Sequence, residues 1–281
     1  MAKLIADSGS TKCEWCVVSP RKKSSYFTQG MSPYFLTPEQ MEGVVRNELL
    51  PQLKKVELEA VYFYGTGTKD PDNAKKVKKL LQTIFNPAQV TVNHDLTGAA
   101  RALCGQEKGI ACILGTGSNS CSYDGNKILK NSPGTGFILG DEGSGAYLGK
   151  KLVQHYLYDI LDKELKKKFE TKYGAGASKI LENVYHRPLP NRYLAAFSWF
   201  LSENRDHYMI ENIIEDGLND FFAIHVSSYT KSLQYPVHFT GSIAYYFKDV
   251  VENLCIDYGL TLGSILKTPM EGLIKYHKQY S

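Results

Sequence analysis

Two short apolar strands in this chain each run into a turn of glycines and hydroxyls, and those turns are where chemistry would sit. The first reads Leu4-Ile5-Ala6-Asp7-Ser8-Gly9-Ser10-Thr11-Lys12, and the second Ile113-Leu114-Gly115-Thr116-Gly117-Ser118-Asn119-Ser120. A turn of this composition aims backbone N–H groups and hydroxyls at one point, which suits phosphate oxygens. Two such turns facing each other could hold a nucleotide's phosphate tail between two half-domains. One Gly-rich turn alone is more often an ordinary hairpin; its recurrence at matching places favours the phosphate reading. The Walker pattern G-x-x-x-x-G-K-[ST] is absent, as is a G-x-G-x-x-G opening a helix. Both turns lead into extended sequence, so a helix N-terminus is not the phosphate-binding device.

The elements around these turns suggest a duplication. In the first part, residues 2–7 and 13–18 read as a hairpin, and 26–28 as a third strand. Residues 37–53 follow as a helix with Thr37 as N-cap and Pro38 behind it. Residues 60–65 form a buried strand, 70–85 a second helix and 90–92 a short strand. Asp95 opens a third helix to about residue 103. The pattern then restarts, with strands at 109–114, 119–123 and 127–129. Helices dominate 142–229, 237–240 is a late strand, and 270–280 is a closing helix.

Bulk properties exclude several classes. The 281 residues suffice for two lobes or one large domain, and 43% apolar with 22% charged residues is ordinary for a globular chain. A net charge of +4 implies no nucleic-acid partner. The run Lys163-Glu164-Leu165-Lys166-Lys167-Lys168 reads as a solvated helix face. No apolar run reaches about 18 residues, so no membrane span is expected. The N-terminus enters a core-like strand without a leader pattern, and a cytoplasmic location is expected. Six scattered cysteines fit reduced thiols. Cys13-Glu14-Trp15-Cys16 is a lone C-x-x-C, open to metal or redox chemistry but better read as part of a strand.

The Asp7-Ser8-Gly9-Ser10-Thr11-Lys12 segment resembles the first phosphate loop of the actin–hexokinase superfamily of ATPases. Gly115-Thr116-Gly117-Ser118-Asn119 resembles the second. Gly140-Asp141-Glu142-Gly143-Ser144-Gly145-Ala146-Tyr147 is similar to a signature of the N-acetylglucosamine kinase branch. The likeness runs from Leu4 to the Gly241-Ser242 turn. It implies an α/β fold of two actin- or ribonuclease H-like lobes, each on a mixed five-stranded sheet, around a cleft that closes in turnover. The lobes would be 1–105 with 269–281, and 106–268.

The resemblance also implies roles. Asp7 would hold Mg²⁺, through water because Mg²⁺ keeps several waters and takes few carboxylates; otherwise it only shapes the turn. Ser8, Gly9, Ser10, Thr11 and Lys12 would line the ATP phosphates, although Lys12 equally fits an exposed strand charge. Gly115, Thr116 and Gly117 would grip the phosphates from the other lobe. Ser118 and Asn119 would reach toward the sugar, unless Asn119 simply finishes the turn. Asp95 would be the general base that deprotonates the sugar hydroxyl, compatibly with capping its helix. Its neighbour His94 would point to the opposite face.

Asp141 would hold sugar hydroxyls, with helix capping as the alternative, and Glu142 would serve first-turn electrostatics. Gly134, Thr135 and Gly136 match a sugar-contacting stretch. Gly241 and Ser242 resemble the adenosine turn, and Gly217 would admit adenine or tight helix packing. The family often has an Asn where this chain reads Gly30-Met31-Ser32-Pro33-Tyr34, leaving Ser32 at that position.

The implied activity is ATP-dependent phosphorylation of an amino sugar, first N-acetylglucosamine at its 6-hydroxyl. N-acetylmuramic acid and glucosamine stay open as substrates, and a homodimer as the assembly. The alternative from related sequences is a nucleotide-driven regulatory ATPase. In those activators of 2-hydroxyacyl dehydratases, cysteines of two subunits share an iron–sulfur cluster.

Overall fold

The computed structural model describes residues 2–20, 22–53, 56–174, 176–229 and 233–281. The chain divides into two compact units. One is Met1–Glu107 with Gly125–Ile128 and Thr268–Ser281, and the other is Lys108–Asp124 with Leu129–Lys267.

The first unit is built on strands β1 (Ala2–Ser8), β2 (Lys12–Val18), β3 (Lys23–Gln29), β4 (Leu58–Gly65) and β5 (Gln89–His94), in the order β3-β2-β1-β4-β5. β1 is central, antiparallel to β2 and parallel to β4, and buries Leu4, Ile5 and Ala6 completely. Its near-continuous apolar run reflects helices on both faces. On one side lie α1 (Pro38–Val44) and α2 (Pro71–Ile84). On the other lie α3 (Asp95–Cys104) and the C-terminal helix, Met270–Tyr280, which packs against α3 and β1.

Thr37 and Gln40 form a capping box at α1, and the Asp70 carboxylate caps α2. The helix expected over 37–53 is shorter. It widens into a π turn at Val45–Leu49 and stops, because Pro51 lacks the N–H that would continue it. Cys13 and Cys16 are buried on opposite faces of the sheet, each in a different apolar cluster, so the C-x-x-C pair cannot close on one metal or one disulfide.

The C-terminal helix is locked by a buried polar array. His277 is 2% exposed; its Nε2 meets Tyr64 Oη at 2.8 Å, and Arg101 Nη1 donates to the same oxygen at 3.0 Å. Burial, then Arg101 and Lys3, push the imidazole down from 6.5 to about 3. The folded state therefore keeps His277 neutral where the unfolded chain would protonate it. The stability contributed is complete above pH 6.5 and is lost as pH falls toward 3. Acid denaturation of wild type followed by circular dichroism should show this loss, on the order of 3 kcal/mol. A His277→Gln variant should be flatter across the same window; an identical slope would rule His277 out as its source.

The second unit repeats the plan. Its strands are β6 (Gly109–Leu114), β7 (Ser118–Tyr123), β8 (Ile128–Asn131), β9 (Val237–Thr240) and β10 (Leu262–Leu266), in the order β10-β9-β6-β7-β8. β6 is antiparallel to β7 and parallel to β9, matching β1 with β2 and β4. β10 was not legible in the sequence, since Gly263 and Ser264 interrupt its apolar run. The glycine is needed because a Cβ there would lie 2.3 Å from the His238 ring.

The helices are α4 (Gly136–Leu139), α5 (Gly145–Leu157), α6 (Lys163–Tyr173), α7 (Ala177–Tyr185), α8 (Pro190–Ala196), α9 (Ser198–Glu203), α10 (Tyr208–Ile224), α11 (Ser242–Tyr246) and α12 (Lys248–Asp257). The Lys-rich run is α6; it buries Leu165 and Phe169 and pairs Lys168 with Glu164 on its wet face, as expected. Among the described residues no helix is long and apolar enough to cross a membrane.

Candidate active site

In the first unit, β1, β4 and β5 end at one sheet edge, where Ser8 pairs with Gly65 and Gly65 with His94. That alignment delivers Asp7, from the end of β1, and Asp95, from the start of α3, to one place. Asp7 is raised from 3.8 to about 7, first by burial, then by the negative charges of Asp95 and Glu14. Glu14 is its cross-strand partner on β2. A carboxylate so placed favours a cation beside it.

The turn after Asp7 is closed by Gly9 N–H donating to Lys12 O at 3.0 Å and Gly30 N–H donating to Thr11 O at 3.1 Å. Gly30 lies directly behind it, since a Cβ there would sit 2.3 Å from Gly9 O. Gly9, Ser10 and Thr11 keep exposure, and the buried Thr11 Oγ1 has no hydrogen-bond partner. The neighbouring residues Ser8, Lys12 and Ser32 have partners within the protein. Ser8 is fully buried, with its Oγ accepting from Met31 N–H at 2.9 Å, so it ties two loops together rather than facing a ligand. Lys12 is exposed with Nζ 3.7 Å over the Phe27 ring, the strand-charge alternative. Ser32 is 1% exposed and organises the following turn, its Oγ accepting from Tyr34 N–H.

Asp95 is the first residue of α3, and His94 is its N-cap. The carboxylate Oδ1 accepts from Leu96 N–H at 2.7 Å and lies 3.0 Å from His94 Nε2. His94 thus meets Asp95 instead of pointing away. Strand alternation ends at His94 because the chain turns into the helix there, and sequence periodicity carries no sign of that. Both of these contacts fall on Oδ1, so a base role would use Oδ2.

In the second unit, Gly115 N–H donates to Gly117 O at 3.0 Å, making a tight turn. The turn is fastened to α5 by Gly145 N–H to Gly115 O at 2.8 Å and Ala146 N–H to Thr116 O at 3.1 Å. These helix donors are used by protein carbonyls, which agrees with excluding a helix N-terminus as the phosphate device. Ser144, not Asp141, caps α5. Asp141 has a left-handed φ of 57°, and its Oδ2 lies 2.9 Å from where a Cβ on Gly117 would be. Burial raises it to about 6, against the pull of the Ser118 N–H. The buried Ser118 Oγ has no hydrogen-bond partner.

Asn119 is oriented, with Oδ1 accepting from Ser120 N–H at 2.9 Å and from Asn131 Nδ2 at 2.8 Å. Its amide group faces Gly134, whose Cβ position would be 3.7 Å from Nδ2. Gly134, Thr135 and Gly136 are exposed. Glu142 is not a first-turn helix charge; it lies before α5, with Oε2 2.9 Å from His225 Nε2.

Gly241 has φ 122°, and a Cβ there would lie 2.2 Å from Leu114 O, so this turn presses against the end of β6. Beside it opens a cavity of about 220 Å³ lined by Gly115, Thr116, Ser242, Trp199, Tyr246 and Arg192, among others. Its aromatic and arginine walls come from α8, α9 and α11 and carry no motif. Gly217 lies outside this lining; a Cβ there would lie 2.3 Å from Leu148 Cδ2, so close α5–α10 packing accounts for it. All six cysteines are buried, so none presents a thiolate for a cluster shared between subunits.

No protein-family model matches the chain. No curated protein matches it either. Solved structures do. A candidate N-acetylglucosamine kinase from Porphyromonas gingivalis is 40% identical, with 99% of each chain covered and a TM-score of 0.94. A second candidate N-acetylglucosamine kinase, from Chromobacterium violaceum, is 17% identical over 98% of each chain, TM-score 0.75. The ROK hexokinase of Thermus thermophilus is 13% identical over 100% of each chain, TM-score 0.51. The last two likenesses concern the fold alone.

Proposed function

We propose that this chain, which belongs to the N-acetylglucosamine kinase-like branch of the actin–hexokinase ATPase superfamily and is an ATP-dependent sugar kinase, phosphorylates an amino sugar, N-acetylglucosamine, at its 6-hydroxyl. The observation that carries the reading is the Asp95 carboxylate, held through Oδ1 at a helix start and close enough to Asp7 to act on its charge. A primary alcohol bound against Oδ2 would transfer its proton there as its oxygen attacks the terminal phosphoryl group. Asn119 and Asp141 would orient the sugar, the first as a fixed amide donor and the second as an acceptor fork. In the first unit Gly9, Ser10 and Thr11 would bind phosphate oxygens, and in the second unit Gly115, Thr116 and Gly117 would. Ser242, Gly241 and the cavity beside Trp199 would take the nucleoside.

The residues fit a magnesium ion. Asp7 is a carboxylate pushed to about 7 by burial and by the charges of Asp95 and Glu14, an environment a cation would relieve, and the partnerless Thr11 hydroxyl lies along the same turn. Among the described residues no cluster of three or more carboxylate, imidazole or thiolate groups could cage a metal. Asp7 would therefore hold a hydrated Mg²⁺ whose other ligands are phosphate oxygens. When bound, the ion neutralises charge on the phosphates.

ADP release measured over a panel of hexoses and amino sugars tests the reading. N-acetylglucosamine should stimulate release at least about 100-fold over the water background, with a monophosphorylated sugar as product. A panel in which no sugar stimulates release would sink it. Preference for N-acetylmuramic acid or glucosamine would correct the substrate alone.

A further inference from the structure

A connected polar network is buried among the residues proposed to bind sugar. Glu142 Oε2 lies 2.9 Å from His225 Nε2, and His225 Nδ1 lies 2.7 Å from Ser132 Oγ. The Glu142 carboxylate can only accept, so Nε2 donates to it, and the serine hydroxyl can serve Nδ1 as either donor or acceptor. Ser132 N–H donates to Tyr229 Oη at 3.0 Å, and Tyr229 Oη meets Ser120 Oγ at 2.8 Å. Ser120 N–H donates to Asn119 Oδ1, and Asn131 Nδ2 donates to both Asn119 Oδ1 and Ser132 O, which closes a ring through Ser132, Tyr229, Ser120, Asn119 and Asn131, with His225 and Glu142 as a branch from Ser132. Ser132, His225, Ser120 and Tyr229 are all less than 7% exposed.

An imidazole with both nitrogens engaged at this depth costs desolvation that an apolar side chain of similar size would avoid. What it gains is position. Its two partners are Glu142, next to Asp141, and Ser132, next to the Asn131 whose amide donates to Asn119. Glu142 follows Asp141 directly, next to a backbone already at positive φ. Ser132 begins the loop that carries Gly134 and Thr135. Thr135 Oγ1 and Glu142 Oε2 also crowd the same side of Gly140, at 2.0 and 3.1 Å from a Cβ position there. A shift of His225 would move both segments together.

We infer that His225 is a positioning residue for the acceptor sugar: by bridging Glu142 and Ser132 it holds Asp141, Asn119 and loop 134–136 as one sugar-binding edge. The inference rests on reading that edge as the sugar site. It differs from a general packing role because the nucleotide cavity beside Trp199 is lined by none of the ring's residues.

The test is steady-state kinetics of the full chain with His225→Leu and His225→Gln, N-acetylglucosamine and ATP being varied in turn. His225→Leu should raise the sugar KM at least about 10-fold while the ATP KM stays within about twofold, the loss expected when a buried hydrogen-bonded partner is removed. His225→Gln, which can donate to Glu142 and accept from Ser132, should recover the sugar KM to within about threefold. A His225→Leu enzyme with unchanged sugar KM, or with sugar and ATP KM raised equally, would overturn the role. If that variant fails to fold, Ser132→Ala, which removes the hydroxyl at His225 Nδ1, is read by the same two ratios with the same criteria. Wild-type turnover on the amino sugar reports separately on the sugar-kinase reading; a wild type inactive on every sugar overturns the function first and this role with it.

Discussion

Asp95→Asn should lower kcat by roughly 10³-fold, within the range a general base contributes, and leave the ATP KM unchanged. The amide keeps the shape of the carboxylate and can still accept from Leu96 N–H through its carbonyl oxygen, so the start of α3 survives. What is lost is the lone pair at Oδ2 that would take the alcohol proton. The variant therefore separates the two jobs that an aspartate can do at a helix start. If Asp95 serves only α3, kcat changes little and the melting temperature carries the effect. If it is the base, kcat collapses in a protein of near-normal stability. Single-turnover phosphoryl transfer with saturating ATP is the measurement, and near-normal transfer would end the assignment.

Asp7→Asn should do two opposite things. Turnover should fall at least about 10²-fold, because charge neutralisation of the phosphates is the larger part of phosphoryl-transfer catalysis. Metal-free protein should at the same time become more stable at pH 8. The folded state holds the Asp7 proton up to about pH 7, whereas the unfolded chain releases it near 3.8. The stability this group contributes therefore falls as pH climbs through that window, and it is lowest above it. Removing the charge relieves on the order of 2 kcal/mol, discounted for the partial exposure of the site. Urea denaturation in a chelating buffer at pH 8 reads this directly. A less stable variant would mean that Asp7 is a structural acceptor in the turn, and its magnesium role would have to be given up.

The chain by itself determined the repeat. Apolar runs at 2–7 and 109–114, each followed by a hairpin turn and a return strand, were enough to expect two related sheets, because strand alternation and turn chemistry are local properties. Helix starts at Thr37 and Asp70 were legible for the same reason, since a cap involves residues only two or three positions apart. The residue types of the site were also on display, in Asp7, Asp95, Thr116 and Asp141.

Tertiary structure decided what each side chain does with its neighbours. β10 forms because β9 offers an edge to an otherwise unremarkable Leu-Gly-Ser-Ile-Leu segment. Ser8 and Ser32 turn inward because Met31 and Tyr34 bring N–H groups to their hydroxyls, and Gly217 is claimed by Leu148. His94 swings onto Asp95, and His225 joins Glu142 to Ser132 across 83 and 93 residues. Trp199 and Tyr246 line a cavity that no spacing rule describes. Local sequence sets backbone preference over a few residues, whereas hydrogen-bond partners and cavity walls are set by packing between distant segments.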